Sequence, residues 1–152
     1  MQRRKKAAPL HLINTHTISK TLTTTGAFIF LFHRNEVENT APAPTPAQKH
    51  DQIMRDQAFS LACHVREIGR LLAIDDLYAH PLVRRQEILS GHCMTAFIGA
   101  PVRCETAQVL AVVCAIDAKA RKWNSCDISR LERIVAQIES CPVWLSKICG
   151  TR

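Results

Sequence analysis

An α+β fold is predicted by three observations. Ile128, Leu131, Ile134, Val135 and Ile138 recur at three- and four-residue spacing, the apolar stripe of an amphipathic helix. The run "VVCAID", residues 112–117, is nearly all apolar and ends on an acid, as expected of a strand buried on both faces. An alternating run before it, "HCMTAFIGAPV" at 92–102, is joined to it through "ETAQ", so the pair reads as a hairpin.

The remaining elements follow in chain order. "LINTHTISKTLTTT", residues 12–25, has a weak helical pattern at Leu12, Ile13, Ile18 and Leu22, diluted by β-branched Thr. Gly26 opens "AFIFLFHRNEVE", which reads as a buried strand starting near Ala27. "NTAPAPTPAQ" at 39–48 is expected to be irregular, because three prolines in five residues oppose helix and sheet pairing alike. From Asp51, the residues Ile53, Met54, Ala58, Leu61, Ala62, Val65 and Ile68 mark one helical face, with Gly69 as C-cap.

"LLAID" at 71–75 is expected as a short strand, "AHPLV" at 79–83 as a turn and "RRQEILSG" at 84–91 as two turns of helix. Pro101 is placed at the end of the 92–102 strand. Asp117 is expected as the first residue clear of the sheet, "AKARKW" as the return turn, and Trp123 as a ring folded over the base of the last helix. Asn124 with Asp127 resembles an N-cap with an acid at N3, and Pro142 ends the helix.

Composition narrows the class. The chain is 152 residues long, 47% apolar and 22% charged, enough for one folded domain with a real core. Its net charge of +7 is uneven: residues 1–35 hold six Lys and Arg and no acid, whereas 36–152 are nearly balanced. Only the head "MQRRKKAAP" looks basic, and it reads as a disordered N-terminus over 1–10 rather than a nucleic-acid face. The acid-free start also suits an organelle transit peptide. Seven scattered cysteines do not read as a disulfide framework, and no apolar stretch is long enough to span a bilayer, so a reducing cytoplasm is expected.

The residues "LACHV", "GRLLAIDDLYAHPLV", "TAFIGAPV", "VVCAID" and "RKW", followed by the helix of Asp127 and Leu131, resemble bacterial GAF domains. The matching positions are His64, Val65, Gly69, Leu72, Asp76, His80 and Pro81, then Ala96, Phe97, Gly99, Pro101 and Val102. Val113, Cys114, Ile116, Asp117, Arg121 and Trp123 complete the pattern. The core match covers about 50–140, within a domain of 11–140 followed by a tail or short helix at 141–152 with Trp144 and Leu145 as contacts. The resemblance implies a GAF-like, PAS-related central antiparallel sheet with helices packed on it. Three departures stand out: "ETAQ" lacks the glycine favoured in that turn, Ala111 replaces a usual glycine, and the proline-rich segment stands where a paired strand is expected.

As the resemblance implies, a small ligand would sit between the sheet and the segment 82–92. The candidate ligand-binding residues are His92, Cys93, Phe97 and Cys114, although Phe97 and Cys114 equally suit core packing. A covalent tetrapyrrole would need a cysteine such as Cys93, but the neighbouring aromatic and His pattern of such sensors is missing. No Cys-x-x-Cys marks a metal site. His64, Asp76, His80 and Asp117 read as helix-end and turn residues rather than acid–base groups.

The expected function is a stand-alone regulatory or sensory GAF-like domain without catalysis of its own. It would bind a small ligand or a signalling protein in trans, or act as a homodimer. Two alternatives stay open: a protein-interaction scaffold that binds no ligand, and a thiol-dependent free methionine sulfoxide reductase using Cys93 and Cys104.

Overall fold

The computed structural model describes residues 14–32, 46–79 and 94–142, with side chains for all of these except 46–51. Several expectations lie outside the described residues: the basic head, the proline-rich stretch up to Thr45, the helix at 84–91, His80, His92, Cys93 and the segment after Pro142.

A four-stranded antiparallel sheet forms the centre, in the order β1-β4-β3-β2. It is built from β1 (Gly26–Leu31), β2 (Leu72–Ile74), β3 (Ala96–Arg103) and β4 (Val109–Asp117). Helices α1 (Thr15–Leu22) and α3 (Ser125–Glu139) cover one face, and α2 (Pro46–Ile68) covers the other. Successive strand residues point to opposite faces, which divides the two central strands cleanly. Ala111, Val113 and Ala115 face α1 and α3, whereas Val112, Cys114 and Ile116 face α2. The alanines at 96, 100, 111 and 115 take little space on the first face, so Ile18, Leu22, Leu131 and Ile138 pack against the sheet with no exposed surface.

The helix ends show why the chain turns where it does. Asn14 caps α1, its side chain accepting from Thr17 N, and Thr23 closes the helix in the left-handed region. At α3 the Asn124 carboxamide accepts from Asp127 N, while the Asp127 carboxylate accepts from Asn124 N, a complete capping box. Gly69 follows α2 at φ 67°.

The structure corrects four details. Helix α2 begins at Pro46 rather than Asp51, because the first helical position tolerates a residue without an N–H. Ile53 and Ile68 are exposed, so the buried face of α2 is narrower than its spacing implied. Pro101 lies inside β3 opposite Val112, past the point where β2 pairs, since β2 matches only Phe97–Gly99; no ladder bond on that side is lost there. Asp117 is the last residue of β4, paired with Ala96, not the first residue beyond the sheet.

Candidate functional site

Packing on the α2 face loosens toward one end. Ala58, Leu61, Ala62 and Val65 are buried against the sheet, but Met54 is half-buried and Ile53 exposed. At that end the strand residue facing the helix is Gly26, which has no side chain to fill the gap. A solvent-open cleft of about 360 Å³ results, lined by Gly26, Ala27 and Phe28 of β1, Ile116 of β4, and Gln52, Met54 and Arg55 of α2. Its size lies within the range of small-molecule sites.

The cleft is lined by the apolar side chains of Phe28, Met54 and Ile116, by the polar amide of Gln52 and by one cation, Arg55, among its described lining residues. The Arg55 guanidinium lies 5.4 Å from the centroid of Phe30, whose ring stacks on Phe28 and meets the edge of Phe59. The carboxylate beside it in sequence, Asp56, accepts from the Gln52 amide at 2.9 Å. Among the described residues no acid lines the cleft.

Phe97 and Cys114 are fully buried: Phe97 stands on β3, one strand away from this cleft, and Cys114 on β4, two residues along from Ile116. Phe97 pairs with Ile116 and Cys114 with Phe28, so both lie beside residues that line it without lining it themselves. The Phe97 ring and a Val65 methyl both lie close over Gly99. Burial pushes the Cys114 thiol well above its ordinary value, which keeps it neutral and unreactive. The other two candidates, His92 and Cys93, fall outside the described residues.

Cys104, in the β3–β4 turn, has its Sγ 2.9 Å from the Thr106 hydroxyl, and that bond lowers its pKa. At Cys63, burial has the opposite effect and dominates the nearby Arg66. Among the described residues no cluster of three His, Cys, Asp or Glu is arranged to hold a metal ion. No helix among them is long and apolar enough to cross a membrane.

The return turn after β4 is a polar corner. Arg121 donates to Asp117 at 3.1 Å, to both oxygens of Asp127 at 3.4 Å and to the Thr23 carbonyl at 3.1 Å. Its neighbour Trp123 donates from Nε1 to the Ile74 carbonyl and from its backbone N–H to Asp75. Asp117 also accepts from the Thr25 hydroxyl, so it joins a network between residues distant along the chain rather than serving only its own turn. Asp76 forms an Asx turn, accepting from Tyr78 N at 3.0 Å. His64 sits within α2, just before the last turn, where Arg66 is the cation.

A family profile for the GAF domain matches residues 13–141, most of the chain. This chain belongs to the GAF domain family. Solved structures share the fold. The cyanobacteriochrome TePixJ GAF domain aligns with a TM-score of 0.64 at 15% identity, over 97% of this chain and 98% of that one. A domain described as part of a putative two-component sensor histidine kinase of Sinorhizobium meliloti 1021 aligns at 0.58 and 10%, over 95% and 92%. The phycocyanobilin-bound GAF domain of a cyanobacterial phytochrome aligns at 0.53 and 18%, over 91% and 86%. No curated protein sequence matched.

Within the GAF fold, the sequence reading missed Gly26, Gln52, Met54 and Arg55 as a group. The available signal was the small pair Gly26-Ala27 at the head of an aromatic strand, opposite the less apolar end of α2.

Proposed function

We propose that this GAF domain is a regulatory module that binds a small ligand, with no catalysis of its own. The observation that carries this reading is the cleft between β1, β4 and the N-terminal half of α2, part apolar and part polar on its walls and open to solvent. In this reading Phe97 and Cys114 support the strands that line the cleft, and His92 and Cys93 are further ligand contacts. Output passes to a signalling protein in trans or through a homodimer.

Native mass spectrometry and an absorbance spectrum of the protein, purified gently from its own host, test the proposal. A copurifying small mass that leaves on denaturation is the expected result. A bare polypeptide whose melting temperature no small-molecule extract of the host raises would overturn it in favour of a scaffold.

A further inference from the structure

We propose that the cleft selects anionic ligands with an apolar body, and that Arg55 is the residue that reads their charge. This inference rests on the ligand-binding reading above and adds the chemical class. Phe28, Met54 and Ile116 offer an apolar wall, and the cleft of about 360 Å³ takes a molecule of two or three fused or linked rings. Arg55 brings a cation to that wall. Its guanidinium rests against Phe30, an arrangement that limits its rotamers before any ligand arrives.

Among the described residues no carboxylate forms an ion pair with Arg55, and the adjacent Asp56 is engaged by Gln52. A carboxylate, sulfonate or phosphate at the rim would receive charge-assisted hydrogen bonds from the planar fork, whereas a neutral ligand gains only the apolar contact. A cationic ligand meets repulsion with no acid in the described lining to offset it.

Two fluorescent probes that differ by one sulfonate separate these effects: 8-anilinonaphthalene-1-sulfonate and its uncharged parent, N-phenyl-1-naphthylamine. Wild type should bind the sulfonate about tenfold more tightly, in line with one charge-assisted contact. Arg55→Gln should remove that preference while leaving the neutral probe within about twofold. Arg70→Gln, beyond the other end of α2, should change neither.

Gly26→Val should weaken both probes, because a Cβ there stands 3.6 Å from the Ile116 side chain and its branches enter the cleft. Urea midpoints confirm that each variant is folded. Equal affinity for the two probes, or an unchanged preference in Arg55→Gln, overturns the anion selectivity and leaves the cleft intact. Failure of both probes to bind, or indifference to Gly26→Val, overturns the selectivity together with the ligand site.

Discussion

The Arg121 guanidinium lies 4.4 Å over the Trp123 ring while bonding carboxylates at both ends of the turn, Asp117 of β4 and Asp127 of α3. Asp127 is 3% exposed and already serves as the N3 acid of the capping box. The turn is thereby tied to the end of β4, to the start of α3 and, through Thr23, to the end of α1. Arg121→Ala should destabilise the domain by about 2 kcal/mol, a buried-pair loss discounted because Arg121 and Asp117 are partly exposed. Arg121→Lys should recover less than half, since an ammonium cannot serve both acids and stack on the indole. Urea titrations of Arg121→Ala, Asp117→Asn and the double variant, combined in a double-mutant cycle and set beside Arg121→Lys, check this.

Phe97 explains Gly99. A Cβ at position 99 would stand 2.8 Å from Phe97 Cζ and 3.3 Å from a Val65 methyl. The ring is fully buried and pressed toward α2, so it has little room to withdraw. Gly99→Ala should therefore cost about 1–3 kcal/mol. Phe97→Leu should cost a similar amount by itself. The double variant should be less destabilised than the sum, because removing the ring opens the space that the added methyl needs, and thermal melts of all four proteins measure that coupling.

The hairpin turn contains a conformational mismatch. Ala107 adopts φ 69°, a left-handed conformation in which a Cβ is unfavourable, and the turn is closed by Ala107 N to Cys104 O and Cys104 N to Gln108 O. This is the turn whose missing glycine departed from the family pattern. Ala107→Gly should raise stability by about 0.5–1 kcal/mol, the relieved strain less the extra freedom of the unfolded chain. Chemical denaturation gives the difference directly.

Thiol ionisation should make stability fall in alkali. Burial raises the Cys114 pKa from its ordinary 9.0, against a smaller lowering by the Phe28 backbone. Its stabilising effect is complete below the unfolded-state value. As pH rises beyond about 9, the unfolded chain releases this proton and the folded one retains it, so stability falls by about 1.4 kcal/mol per pH unit. Cys114→Val should flatten the slope between about pH 9 and 10. Alkylation at neutral pH should label Cys104 ahead of Cys63 and leave Cys114 intact until unfolding, as mass spectrometry of the labelled peptides would show.

Some of this architecture is readable along the chain. The stripe on α3, the capping pair Asn124 and Asp127, the double burial of β4 and the hairpin all depend on residues within a few positions of one another. Their periods of 3.6 and 2 carry the information locally. The edges of elements are less legible. Ile53 and Ile68 have the spacing of core residues, yet the narrow strip of sheet beneath α2 does not reach them.

By itself, the sequence determined the α+β class, the order of the described strands and α-helices, most of the described core and the family, because local periodicity and the order of motifs encode each of these. Only the tertiary structure decided the cleft and the corner. Gly26 and Arg55 meet because β1 and α2 pack face to face, and the cleft exists because a missing side chain on one lies opposite the loosened end of the other. Likewise, Arg121 finds Asp117, Asp127, Thr23 and Trp123 together because the return turn brings three elements to one point. Such meetings depend on distance in space, which spacing along the chain does not record.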